Sequence, residues 1–168
     1  EQVGEEVYIS MINKAERYCW FMTPYLIITD EMTHALCLAA KRGVDVRIIT
    51  PGMPDKKLIY SITRSFYHGL VKNGVRIYEW TPGFCHAKMS VADDCMATCG
   101  TINLDYRSLY HHFENGCFMA DSQTVLDIRD DLGATMNECR EVTEKYRTGR
   151  SAYLRLGQLF MRLFAGLL

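Results

Sequence analysis

Twice in this chain a helical stretch meets a glycine and leaves it as an apolar run of strand character, at Arg42-Gly43-Val44 and at Asn73-Gly74-Val75. Glycine closes a helix in the left-handed region without steric penalty, so both junctions read as helix stops followed by strands. Upstream of the first, Thr29 or Asp30 can cap a helix that runs to about Arg42. Downstream, Val44 to Thr50 alternates as a strand and closes at Pro51-Gly52. Asp55 opens a second helix with Leu58, Ile59, Ile62, Phe66 and Leu70 on one face, and Val75 to Trp80 forms the strand after it. At the start of the chain, Val3, Val7, Met11, Ile12 and Ala15 recur at helical spacing, and Tyr18 to Thr23 is a short strand that stops at Pro24. Helices that alternate with strands in this way imply an α/β sheet with helices on its faces.

The alternation changes after Trp80. Thr81-Pro82-Gly83 turns into Phe84 to Val91, where Phe84, His86, Lys88 and Ser90 fall on one face of a strand and Cys85, Ala87, Met89 and Val91 on the other. Asp93-Asp94 reads as a turn, and Cys95 to Cys99 as the antiparallel partner beyond it. Tyr110 to Ala120 is expected to be a further strand carrying Glu114, with a helix from about Ser122.

The residues from His86 to Glu114 form an ordered set: His86, Lys88, Asp93, Gly100, Thr101, Asn103 and Glu114, spaced H-x-K-x4-D-x6-G-T-x-N. Imidazole titrates near neutral pH and serves as nucleophile or general acid. Lys88, on the same strand face, supplies positive charge for phosphoryl oxygens. Thr101 and Asn103 offer a hydroxyl and an amide on a turn opened by Gly100, a geometry suited to phosphate. Glu114 is placed to accept a proton from the far nitrogen of His86 and fix its tautomer. Asp93 stands with His86 and Lys88 in the catalytic set, where its turn position suits gripping the loops around the site. Each residue alone has a bland explanation, but the set points to phosphodiester chemistry.

His86, Lys88 and Asp93 match the H-x-K-x4-D signature of the phospholipase D superfamily, and Gly100-Thr-Ile-Asn-Leu-Asp-Tyr-Arg-Ser108 resembles the G-T-x-N-x-D-x-R-S run of bacterial cardiolipin synthases. Thr23-Pro24-Tyr25, Arg42 to Val46, Gly74 to Glu79 and Arg162 to Leu168 are similar to the C-terminal half of those enzymes. The resemblance implies a mixed β-sheet flanked by helices on both faces. It also implies a two-step reaction: one histidine forms a phosphohistidine with a phosphatidyl group, and a second protonates the leaving group. The hydroxyl of phosphatidylglycerol then takes the phosphatidyl group. No cofactor or metal is implied. His34, His68, His111 and His112 lack a lysine two residues on, so only one motif is present. The chain is therefore expected to be the second-motif half of a longer protein. Its partner would be a half bearing the first motif, or a second copy, and the isolated chain is expected to be inactive.

Composition narrows the alternatives. A net charge of −1 argues against a broad electrostatic grip on nucleic acid. No cysteine and histidine set has zinc-ligand spacing, and Cys95 and Cys99 read as buried reduced thiols sharing a strand face. No uninterrupted apolar run reaches the ~18 residues of a membrane span. From Cys139 onward six Arg or Lys face Glu141 and Glu144, a basic end suited to an anionic membrane surface. Leu156, Leu159, Phe160, Leu163, Phe164 and Leu167 form an apolar helical stripe, so 1–150 reads as the catalytic half-domain and 151–168 as an amphipathic helix. That helix either docks on the domain or lies in a membrane interface. Three functions remain open: a phosphatidyl transferase at the cytoplasmic side of the cell membrane acting on anionic phospholipid, a superfamily phosphodiesterase or nuclease, and a non-enzymatic half-domain.

Overall fold

The computed structural model describes residues 3–148. Helix α1 (Val3–Lys14) leads into β1 (Tyr18–Met22) and a short β2 (Leu26–Ile27). Then come α2 (Asp30–Lys41), β3 (Asp45–Pro51), α3 (Lys57–Lys72) and β4 (Arg76–Trp80). The second half runs β5 (Met89–Ala92), β6 (Met96–Gly100), β7 (Leu104–Asp105), a π-helical turn (Arg107–His111), β8 (Gly116–Ala120), α4 (Gln123–Glu138), β9 (Cys139–Glu141) and α5 (Thr143–Thr148).

Seven strands form one sheet in the order β8-β6-β5-β1-β3-β4-β9. β1, β3 and β4 run parallel, as helical crossovers require. β5, β6 and β8 extend the sheet antiparallel on one side and β9 on the other. β2 and β7 pair separately in parallel and so join the Tyr25 region to the segment after the motif. The sheet is mixed, with helices on both faces, as the order of elements implied.

Local signals explain much of this. Thr29 Oγ1 accepts the Met32 N–H at 3.1 Å and caps α2. Gly43 and Gly74 take φ of 97° and 102° and end α2 and α3. Strand alternation then divides the core. Cys19, Phe21, Val46, Ile48 and Ile77 pack with α1, α2, α3 and α5. Met22, Ile49, Val91 and Ala97 pack with Val125, Ile128 and Leu132 of α4.

Two expected core positions are exposed: Val3 at 60 % and Leu58 at 55 %. The buried face of α1 begins instead at Glu5, whose carboxylate accepts hydrogen bonds from the Thr29 and Tyr110 hydroxyls. The buried face of α3 begins at Ile62, one turn after Leu58. The basic end is partly neutralised, since Arg140 and Arg64 both pair with the fully buried Glu79, and Arg147 pairs with Glu144. The apolar stripe of 156–167 lies outside the described residues. Among the described residues no helix is long and apolar enough to cross a membrane.

The hairpin between β5 and β6 is anchored by its turn. Asp93 and Asp94 both sit in the left-handed region, with φ of 53° and 64°, and the Cys95 N–H closes the turn on the Ala92 carbonyl. The Asp93 carboxylate accepts the backbone N–H groups of Glu16, Arg17 and Tyr18 at 2.6, 2.9 and 2.8 Å. Those amides open β1, so one side chain joins the hairpin to the centre of the sheet. Asp94 accepts from the Tyr18 hydroxyl and from Arg129, which hold its carboxyl down at about 2. Hydrogen bonds to a charged acceptor stabilise by about 1.5–3 kcal/mol each when buried, and less when solvated as here. Asp93→Ala should therefore lower stability by about 2 kcal/mol, read as a fall in the urea midpoint at unchanged slope. A loss within about 0.5 kcal/mol, ordinary for a surface substitution, would contradict the anchoring role.

Candidate active site

His86 and Lys88 come together just before β5. Residues 84–88 are irregular rather than the strand expected, because the ladder with β6 takes up only at the Lys88 carbonyl, which accepts the Gly100 N–H at 3.3 Å. The Lys88 Nζ lies 3.0 Å from Nδ1 and 3.1 Å from Nε2 of His86, and 2.6 Å from the His86 carbonyl oxygen. Near-equal distances to both ring nitrogens put the ammonium against the ring rather than along one lone pair. His86 is exposed, whereas Lys88 is only 9 % exposed. Burial lowers the Lys88 pKa, while Glu114, Cys85 and Asp105 oppose that shift through space. Phe84 and Tyr25 flank the imidazole, with ring centroids 5.8 and 6.5 Å away.

Glu114 does not orient His86. It lies in the loop before β8, because a π-helical turn replaces the first part of the expected strand. The Ser108 N–H donates to Asp105 Oδ1 at 2.8 Å, and the His112 N–H reaches the Arg107 carbonyl five residues back, at 2.8 Å. That turn leaves Glu114 to accept from Thr101 Oγ1 and to lie 3.7 Å from His112 Nδ1. Its link to the cluster is the through-space attraction on Lys88.

Asn103 donates from Nδ2 to Ser108 Oγ at 3.0 Å, and its buried Oδ1 has no partner. Gly100 is required by close approach: a Cβ there would lie 2.3 Å from the Asn115 carbonyl oxygen and 2.7 Å from Gly116 Cα. Asp93 lies beyond the opposite end of β5 from His86, on the amides of residues 16–18, and is not part of the cluster. The thiol expectation is corrected as well. Cys99 is exposed, and Cys95 is half-buried in the turn that precedes β6.

Several residues at the site escape motif reasoning. A groove of about 380 Å³ is lined by Tyr25, Lys56, Asn103, Asp105, Arg107 and His112. The Tyr25 hydroxyl donates to Asp55 at 2.5 Å, and burial with this acidic neighbour pushes its pKa up to about 12. Thr23-Pro24-Tyr25 and the run from Gly100 to Ser108 pointed toward this groove in the sequence, whereas Lys56, Ile59 and His112 carried no motif signal. No group of three or more metal-ligating side chains occurs among the described residues. An exposed histidine and a partly desolvated ammonium thus lie together, with Tyr25 linking them to a groove that carries Lys56 and Arg107, an arrangement able to hold and attack a phosphoryl group.

The family described as cardiolipin synthase, phospholipase D-like domain, matches residues 8–136. A cardiolipin synthase of Clostridium perfringens is 35 % identical over 168 residues, covering all of this chain and 35 % of that protein. Cardiolipin synthase 2 of Bacillus cereus is 34 % identical over 164 residues, covering 98 % of this chain and 32 % of that protein. The chain thus spans about a third of the length of these relatives. Among solved structures, the phospholipase D family member Nuc from Salmonella typhimurium superposes with a TM-score of 0.71 at 18 % identity, over 82 % of this chain and 89 % of that one. Phosphatidylserine synthase of Haemophilus influenzae does so with a TM-score of 0.69 at 16 % identity, over 97 % of this chain and 42 % of that one. These two likenesses carry the fold. With the sequence match they lead to one conclusion: the chain belongs to the cardiolipin synthase, phospholipase D-like domain family.

Proposed function

We propose that this chain supplies the second half of a phosphatidyl-transfer site that makes cardiolipin from two phosphatidylglycerol molecules. The observation that carries the reading is Lys88, a residue only 9 % exposed, whose Nζ is held about 3 Å from both nitrogens of an exposed histidine. A phosphate entering at His86 meets that charge in a partly desolvated setting, where its attraction exceeds that in water. In the first step a histidine nitrogen attacks phosphorus and glycerol leaves, taking a proton from the second histidine. In the second step that histidine removes the proton from the acceptor's glycerol hydroxyl, whose oxygen displaces the phosphohistidine nitrogen. His86 is one of the two histidines. The other comes from a first-motif half in the rest of the longer protein, or from a second copy of this chain. A single copy alone is not expected to turn over.

The surroundings support a lipid substrate. Lys56 and Arg107 give the groove cationic groups beside Asp105, and Ile27, Ile59 and Tyr106 add apolar walls. Phe84 at 41 % and the fully exposed Phe113 lie in the two segments that carry His86 and Glu114. Such a rim suits a headgroup and the adjoining acyl chains at the cytoplasmic surface of the cell membrane. Hydrolysis, with water as acceptor, is the second chemistry open to the same cluster.

In the longer protein, His86→Ala should abolish conversion of phosphatidylglycerol to cardiolipin in membranes, with a loss of at least ~10²–10⁴ in rate and an unchanged fold by circular dichroism. Near-normal conversion would remove His86 from the reaction. Appearance of phosphatidic acid in place of cardiolipin with the native residue would favour hydrolysis.

Lys88 sets an alkaline limit. Burial disfavours its charged form, so the ammonium is lost at lower pH than in a free lysine. Affinity for phosphate should therefore fall as pH rises through this lowered pKa, while the folded state gains stability across the same window, because the unfolded chain still binds that proton. Measured phosphate affinity that stays flat up to the pH where free lysine titrates would contradict this.

A further inference from the structure

We propose that Cys99 and Cys117 form a redox modification site, a cross-strand dithiol that closes reversibly to a disulfide. The register of β6 and β8 sets Cys99 directly opposite Cys117. The Asp121 N–H donates to the Cys95 carbonyl and the Thr101 N–H to the Asn115 carbonyl, so alternate pairs of this ladder exchange hydrogen bonds. Cys99 and Cys117 fall on that same alternation and are a hydrogen-bonded pair. Such pairs have Cα atoms about 5.5 Å apart with side chains on one face. That separation lies within the range that disulfides span, with a usual value of about 5.5–6 Å.

Access distinguishes this pair from the other thiols. Cys99 and Cys117 are both exposed, whereas Cys19 and Cys37 are buried. β8 is the edge strand of the sheet, and four of its five residues are exposed. A dissolved oxidant therefore reaches both sulfurs. The two positions also flank the tightest approach between the strands, since the next pair is Gly100 opposite Gly116 and neither has a side chain.

The step balances with a small-molecule disulfide such as oxidised glutathione. One thiolate attacks it and releases one small thiol, leaving a mixed disulfide on the protein. The second thiolate then displaces the other small thiol, and one S–S bond replaces two S–H bonds. Opposed Cβ atoms in a sheet lie about 4.5–5.5 Å apart, whereas a relaxed disulfide needs about 3.8 Å. The strands must therefore shift to close the bond, which keeps it reducible. The bond would tie the strand leading into Gly100, Thr101 and Asn103 to the strand that follows Glu114. It would act at the base of the Thr101–Glu114 hydrogen bond and one register step from the Lys88–Gly100 contact. The proposal does not depend on the transfer reaction.

The test is peptide mapping of the longer protein after exposure to excess oxidised glutathione, with remaining thiols blocked by N-ethylmaleimide. Arg107 lies between the two cysteines, so trypsin separates them unless a disulfide holds them together. The expected result is a linked peptide pair joining the Cys99 and Cys117 fragments, released by dithiothreitol. The link should survive in Cys95→Ser, which removes the other thiol of the Cys99 fragment. In Cys99→Ser it should disappear, leaving Cys117 as a stable mixed disulfide with glutathione. Recovery of both native cysteines as maleimide adducts, linkage of either to another cysteine, or linkage only between two protein molecules would overturn the proposal.

Discussion

Burial disfavours the charged form of a lysine unless its surroundings compensate, and the geometry around Lys88, a residue only 9 % exposed, turns on that requirement. The compensation at Lys88 is incomplete. Its close contacts are the ring and carbonyl oxygen of His86, and no carboxylate forms an ion pair with it among the described residues. Glu114 and Asp105 act on it only through space. A full ion pair would neutralise the charge that the proposed phosphate contact requires. With the acids held back, the ammonium stays available to an anion that also meets His86. Both acids are engaged elsewhere, Glu114 by Thr101 and Asp105 by the Ser108 N–H, which keeps them at that distance.

The scaffold explains how a short irregular segment keeps this geometry. Lys88 is tied to Gly100 across the hairpin, and the far end of the hairpin is fixed to β1 by Asp93. The signature aspartate therefore contributes position from the opposite end of the strand. Thr23 performs a similar service on the other wall. Its hydroxyl accepts the Leu104 N–H at 3.1 Å and donates to the Tyr25 carbonyl at 2.8 Å, so Tyr25 and Asn103 are set by one side chain. The sequence resemblance and the structure converge here, since both passages were ones that pointed to the family.

Signals that act locally were legible. The Thr29 cap, the helix stops at Gly43 and Gly74, and the Asp93-Asp94 turn each depend on a few adjacent residues, and each occurs where its chemistry calls for it. The pairing of His86 with Lys88 was legible from their spacing, even though the segment is not a strand. What was illegible depends on distant partners. The π-helical turn is braced by contacts such as Tyr110 to Glu5, 105 residues apart in sequence, so strand character across 110–120 could not reveal it. Glu114 then moves from His86 to Thr101. Cys99 is exposed rather than buried as expected, because it pairs with the edge strand β8, and edge position is a property of topology.

The central claim is that His86 and Lys88 together receive a phosphate. Histidine-selective NMR of the chain, titrated with inorganic phosphate, tests it most directly, because the His86 ring reports on the anion without requiring turnover. The account predicts a saturable shift of the His86 ring resonance, absent in Lys88→Gln, with His34 and His68 unmoved. Shifts spread over all five histidines, or a His86 resonance that does not respond, would contradict it.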